Sequence, residues 1–354
     1  MSKINAVVTH ERPHMDEIAA IWILRKFGEE KFPGISKAPI KFWDNGGKIP
    51  DGRSADEHEL DGTLLIGIGG GRFDEHPVNG EKKMDECAAT LAAKAVGVDD
   101  NPALEKILKF VVNNDLKAAA HPFDIAYLVK FLHQRYPEDA QKVIEWATEG
   151  LEAKFQEQFQ FWNKTKEEFE RIAEIEEIYG PNGRIIKMVT VISDDEQISK
   201  FARSPHGANA AVVIQRRLSG NTQIYTNKKF NLFIQDMVQM VRIAEQEANG
   251  KVIATNWKTL SIEGKIEGAE EWYYHKTGQM LLNGSLTAKS VPPTRLSLER
   301  IKNLVRIGIN PDAFEPKRAR SCEKRKCTSS LANPCPWYNW KLNRCRKVRF
   351  ATFN

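Results

Sequence analysis

The sequence predicts an α/β protein: an N-terminal domain on a doubly wound, mostly parallel sheet, a linker helix, a smaller α/β C-terminal domain and a cysteine-rich tail. Three observations predict it. Apolar runs of strand length alternate with helical patterns over the first 120 residues, which implies βαβ units. Histidines and acids gather where those strands end, the place at which parallel sheets collect ligands. At 354 residues the chain exceeds the roughly 250 to 300 that one core organises.

In chain order, INAVVT (residues 4–9) reads as a buried strand and Asp16 to Phe27 as a helix with a wide apolar face, stopped by Gly28. APIKFWDN reads as a strand ending in a polar turn, and GTLLIGIGGGRFDEHP as a strand running into a glycine-rich loop. A small-residue helix, DECAATLAAKAVG, precedes another from about Pro102 to Val112 that delivers NND at its end. Residues 137–178 are almost entirely helical in pattern and highly charged, which suits a connecting helix. Then come strands IIKMVTVIS, AAVVIQRRL and TQIYTN, a helix from about Leu232 to Ala248, the stretch EEWYYHKTGQMLLNGS, and a helix starting after two prolines in PPTRLSLERIKNLVRIGIN. The expected domains are 1–136, a linker 137–182, 183–312, and a tail 313–354.

With 41% hydrophobic and 28% charged residues the composition is that of a soluble globular protein. No apolar run approaches the ~20 residues of a spanning helix, and the start lacks the basic and apolar regions of a signal peptide, so a cytoplasmic protein without membrane contact is expected. Charge is unevenly spread. Residues 311–354 carry eleven Lys and Arg against three acids, a local +8 that leaves −3 for the rest of the +5 chain. Such a tail either meets a polyanion, nucleic acid above all, or is a solvated extension.

The tail also holds Cys322, Cys327, Cys335 and Cys345, spaced Cys-x4-Cys-x7-Cys-x9-Cys, with Trp337, Tyr338 and Trp340 among them. Without a secretion signal, thiolate ligands or free thiols are expected before disulfides. Four thiolates suit Zn²⁺ or an iron–sulfur cluster. The aromatic and basic side chains suit stacking on unpaired bases or docking of the tail on the protein body. Cys87 sits in an apolar helical pattern and reads as a small core residue.

Three clusters carry the chemistry of the first domain: His10, His14, Asp16 and Glu17; Asp74, Glu75 and His76; and Asp115. Imidazole and carboxylate ligands without cysteine suit Mn²⁺, Fe or Zn²⁺. Two such ions clamp a phosphate and activate water for in-line attack. The plainer reading is a helix start favoured by acids, but a helix start does not need two histidines.

In order, TH-x3-H-x-DE, GGGRFDEHP, ECAATLAAKAVG and NND resemble the motifs of the DHH phosphoesterase superfamily, nearest its metal-dependent protein hydrolase (melanocyte-proliferating-gene) branch, over roughly residues 5–120. The resemblance implies a pair of Mn²⁺ ions, a linker helix, a smaller domain that grips the substrate, and phosphodiester hydrolysis, often 3′-to-5′ removal of nucleotides. It implies His10, His14 and Asp16 as metal ligands, Glu75 as the ligand standing for the family's middle histidine, and Asp115 as the last carboxylate. His76 would meet the scissile phosphate, with Asp16 and Asp74 completing the catalytic group. It further implies phosphate- and nucleotide-holding roles for Arg203, Arg216 or Arg217, and for His275 with Asn283, Gly284 and Ser285. On residues alone, Tyr273 to His275 read equally as a half-buried strand face. Two positions depart from the family pattern. Gly67 stands where the family has a metal-bridging aspartate, with Asp44 on the neighbouring strand as a conceivable substitute, and the third motif reads Asp-Glu-His for Asp-His-His.

The expectation is a metal-dependent phosphodiesterase or exonuclease acting on RNA, single-stranded DNA or short oligonucleotides. The alternatives are a nucleic-acid-binding protein with a decayed hydrolase site and a hydrolase of small phosphorylated metabolites. Nucleic acid is the expected partner, and oligomeric state stays open, a homodimer included.

Overall fold

A computed structural model describes residues 3–310 apart from 45–48, 77–84, 252–256, 286–287 and 289, together with 321, 324 and 330. The chain forms two compact units, Met1–Trp162 and Asn163–Asn354.

The first unit is built on three parallel strands. β1 (Ala6–His10) is buried at every residue, as a central parallel strand must be, and its β-branched valines and threonine suit that position. It leads through α1 (Met15–Phe27) to β2 (Ile40–Trp43), then through α2 (Ala55–Leu60) to β3 (Thr63–Leu65). The strand order is β2-β1-β3, with Val7 opposite both Ile40 and Leu64. Both sheet faces are covered. Val7 and Leu64 join the main core, whereas Val8, Leu65 and Ile68 pack with Trp43, Ile49 and Ala55. α1 is buried from Met15 to Leu24 because α3 (Ala88–Val96), α4 (Glu105–Lys117), α5 (Ile125–Arg135) and α6 (Ala140–Gln160) surround it. The alanines 88, 89, 92 and 93 let α3 approach α1 closely, and Val143, Ile144, Ala147, Leu151 and Phe155 bring α6 into the same core.

Two boundaries differ from the sequence reading. α4 starts later and continues to Lys117, so Asn113, Asn114 and Asp115 lie in its last turns and not beyond its end; no breaker intervenes before Ala118, which ends the helix at φ +48°. The helical stretch expected to reach residue 178 passes through a π-helical segment (Phe161–Thr165) and α7 (Lys166–Ile172), then gives way to a strand, β4 (Glu174–Tyr179). The glutamates of β4 look helical in sequence. In the fold Lys302 pairs with Glu174 and Glu176 at 2.9 Å each and Arg306 with Glu176, and this tertiary pairing overrides local propensity.

The second unit continues with β5 (Ile185–Ile192), α8 (Ile198–Arg203), β6 (Val212–Arg216), β7 (Thr222–Thr226), α9 (Gln235–Ala248), α10 (Trp257–Leu260), β8 (Trp272–His275), β9 (Met280–Asn283) and α11 (Leu298–Ile309). Its six-stranded sheet has the order β4-β5-β6-β7-β9-β8, and only β5 and β6 run parallel. Ile186, Met188, Ile214, Ile224 and Leu281 meet Met237, Met240 and Val241 of α9 and Ile301, Leu304 and Val305 of α11 in one core.

The four tail cysteines lie outside the described residues. Among those described, Cys87 is the free cysteine, fully buried at the start of α3, and no helix is long and apolar enough to cross a membrane.

Candidate metal centre

β1 ends on His10, and the short turn Glu11–His14 turns the chain into α1. That turn is fixed from outside: His133 of α5, buried, hydrogen-bonds from its Nε2 to the Pro13 carbonyl at 2.9 Å. The His10 and His14 rings meet edge to face with centroids 5.1 Å apart. Between them lies Glu17, only 4% exposed. Its Oε1 is 2.9 Å from His10 Nε2, and its Oε2 accepts the His14 backbone N–H at 2.7 Å.

Asp16, one residue earlier on the helix, faces the start of α3. Its two oxygens accept the backbone N–H groups of Ala88 (2.7 Å) and Ala89 (2.9 Å), so the expected ligand also caps a second helix. The buried Cys87 side chain adds a further hydrogen bond to the same carboxyl.

Across from α1, β3 runs into the glycine loop. Gly67, at φ +67°, donates its N–H to the Phe73 carbonyl (2.9 Å). Asp74 ties the loop together: Oδ2 accepts from Gly70 N–H at 2.7 Å, and Oδ1 lies 3.0 Å from the His76 N–H and 2.8 Å from His76 Nδ1. Its expected catalytic place is therefore held by loop and imidazole contacts. Glu75 is 6% exposed, and its Oε2 accepts no hydrogen bond among the described residues. The His76 ring is 64% exposed, and Asp115, near the C-terminal end of α4, is also exposed.

Donor atoms from these segments form three groups whose members lie within 4.8 Å of one another: His10, His14 and Glu17; Asp16, Glu75 and Asp115; and Asp74, Glu75 and His76. Asp44 is exposed and belongs to none of them among the described residues.

Electrostatics follow from the crowding. Burial, then repulsion from Glu17, pushes the Asp16 carboxyl from 3.8 up to about 8 despite hydrogen bonds from the Cys87 side chain and the Ala89 amide. Burial alone would raise Glu17 as well, but the His10 hydrogen bond and the fields of His10 and His14 hold it below the ordinary range. Glu75 is raised, first by burial and then by the nearby Asp115 and Glu17 charges. His76 is raised because Asp74 and Glu75 outweigh its partial desolvation. A buried Glu75 oxygen without a donor among the described residues, inside a surplus of acids and beside the His76 ring, fits a divalent cation.

The remaining expected site residues lie in the second unit. Arg203 donates to the carbonyls of Ser199 (2.9 Å) and Thr226 (3.3 Å), and Arg216 to Thr222 Oγ1 (2.9 Å) and the Leu296 carbonyl (2.8 Å). Arg217 reaches 3.8 Å from Glu196. His275 accepts the Gly278 N–H at Nδ1 (3.0 Å). Asn283 is fully buried: Oδ1 accepts from Thr222 (3.1 Å) and Thr294 (2.9 Å), and Nδ2 donates to the Glu271 (3.2 Å) and Pro292 (2.9 Å) carbonyls. Gly284 sits at φ +74°, where a Cβ would come 2.9 Å from Asn221 Nδ2. These contacts hold backbone segments together.

Sequence reasoning missed His133, which gives no local signal because its partner is 120 positions away; Glu17 was named in the first cluster, but its contacts with His10 and His14 needed the fold.

No family model matches the chain, and no curated protein does. Among solved structures, the chain is similar to that described as "Crystal structure of an uncharacterized protein from Helicobacter pylori G27", at 11% identity over 86% of this chain and 99% of that one, with a TM-score of 0.25. A likeness that weak adds nothing to the reading of fold or site.

Proposed function

We propose that the protein is a metal-dependent phosphoesterase, a phosphodiesterase or exonuclease acting on RNA, single-stranded DNA or short oligonucleotides. The observation that carries this reading is the assembly of three donor groups from the segments that follow β1 and β3 and from α4, with a buried Glu75 oxygen that lacks a partner among the described residues. The doubly wound arrangement implied by the DHH resemblance belongs to the same reading.

His10 and His14 would hold one ion, and Asp16, Glu75 and Asp115 another, with Mn²⁺ the ion that the resemblance implies. Such an ion, when bound, polarises a phosphoryl oxygen and lowers the pKa of water. The chain's own groups do the rest. Asp74 engages Nδ1 of His76 and favours its protonated form, which leaves Nε2 of the exposed ring to meet a phosphate. His133 and the Asp16–α3 contacts fix the turn and the helix that present the donors. Arg203, Arg216, Arg217 and His275 are the proposed substrate-holding groups of the second unit. The +8 tail would recruit nucleic acid, its cysteines binding Zn²⁺ or an iron–sulfur cluster.

The test is cleavage of single-stranded oligonucleotides with Mn²⁺ by the intact chain and by Asp16→Asn and Asp115→Asn. Both variants lose turnover while remaining folded; undiminished cleavage in either refutes the assignment. A binding-only protein, which the charged tail would serve equally, shows salt-dependent association and no turnover with any divalent metal.

A further inference from the structure

Resting on the metal-dependent reading above, we infer that Glu17 is itself a metal ligand and supplies, from the start of α1, the carboxylate that a glycine at position 67 leaves out of the loop after β3. The two positions contend for one space. A Cβ built on Gly67 would lie 2.5 Å from Glu17 Cγ and 2.9 Å from its Oε1, so a side chain can occupy that volume from residue 17 or from residue 67, but not from both. The φ of +67° at Gly67 favours glycine for a second reason.

Helix capping does not account for where Glu17 sits. On α2 the same capping arrangement, Glu57 accepting the Ser54 N–H at 2.7 Å, stands in solvent. Glu17 makes that contact while 4% exposed and within 4.8 Å of donor atoms on both His10 and His14. A buried charge is retained where a partner charge needs it. Nor does orientation of His10 account for it alone, because only Oε1 meets the His10 ring, while donor atoms of both His10 and His14 lie within 4.8 Å of the carboxylate. The buried Glu75 oxygen, without a partner among the described residues, independently marks the neighbouring group as a ligand site.

A consequence is that consecutive residues of one helix, Asp16 and Glu17, feed the two groups. The separation of the two ions would then be set by the rigid first turn of α1, and not by a mobile side chain of the loop.

The experiment measures Mn²⁺ stoichiometry and affinity by titration calorimetry, with electron paramagnetic resonance of the loaded protein, on the full chain and on three variants. The wild type binds two ions per chain. Glu17→Gln keeps an acceptor for the His10 ring and the shape of the side chain, yet loses the second ion or weakens it by about a hundredfold or more. Glu17→Asp keeps charge and retains two ions. Glu17→Ala combined with Gly67→Asp moves the carboxylate across the shared volume and recovers the second ion. If Glu17→Gln binds two ions as the wild type does, Glu17 is not a ligand and the inference falls. It also falls if the double variant, folded by thermal melting, stays at one ion; should that variant not fold, the contrast between Glu17→Gln and Glu17→Asp decides. A wild type that binds no Mn²⁺ overturns the metal-dependent reading itself, and the inference with it.

Discussion

Chelating divalent cations should make the protein lose stability as the pH rises through the neutral range, the reverse of the usual carboxylate behaviour. Asp16 carries the effect. Its carboxyl is raised in the fold from 3.8 to about 8, so the folded state favours the protonated form. Its contribution is greatest below the unfolded value and falls as pH climbs towards the folded one. Between pH 5 and 7, two units inside that window, the loss is about 3 kcal/mol at 1.36 kcal/mol per unit. For a unit of about this size that is roughly 5 to 10 °C in thermal midpoint. Glu75 and His76, both raised, push the same way over their own windows, while His133, lowered by burial and by the nearby positive groups, opposes them weakly. Differential scanning calorimetry with excess chelator at pH 5, 6 and 7 reads the slope directly. With Mn²⁺ the slope reverses, because the cation replaces the proton and binds better to the ionised site. Asp16→Asn should flatten the chelated profile. A chelated midpoint that is level or climbs from pH 5 to 7 refutes the account of a crowded, cation-deficient site.

Glu75→Gln should raise the midpoint of the chelated protein while weakening Mn²⁺ about tenfold to a hundredfold, a pairing that calorimetry and titration together detect. His133→Ala frees the Pro13 carbonyl and should cost about 1 to 3 kcal/mol and about tenfold in Mn²⁺ affinity, although it touches no donor atom. Asn283→Ala strands two N–H groups and two carbonyls, so urea melts should show a loss of about 4 kcal/mol with KM for an oligonucleotide unchanged in the folded fraction. Truncation after Asn310 should leave Mn²⁺ content intact and make oligonucleotide binding weaker and less steeply salt-dependent, as filter binding across a salt series would record.

The parts of the fold legible in the sequence are those with strong local signals. INAVVT and TLLI read as strands because they are short, mostly apolar runs rich in Ile, Val, Leu and Thr, and α1 is legible from its unbroken apolar pattern and the glycine that stops it. The end of α4 was not, since Asn113, Asn114 and Asp115 carry weak preferences and the helix simply runs on. β4 was misread because what makes it a strand is partnership with Lys302 and Arg306, more than 120 residues away. In the site, the ligand types were legible from THERPHMDE, but the place of Glu17 depends on an absent Cβ at Gly67. For the loop around Asn283 the resemblance implied a phosphate-holding role; that the Asn283 amide gives its hydrogen bonds to four backbone groups could be seen only in the fold.

The Glu75 oxygen that has no partner among the described residues also makes the ion-free site a burden on the fold. Changes that neutralise a buried, unsatisfied carboxylate generally make a metal-free fold more stable. Glu75 and Asp16, at 6% and 3% exposure, are both raised by burial and by neighbouring acids, so the chain holds two carboxyls where their charge is disfavoured. The first turn of α1 and the loop after β3 are thus stiff parts of the fold placed where stability alone would not put acids.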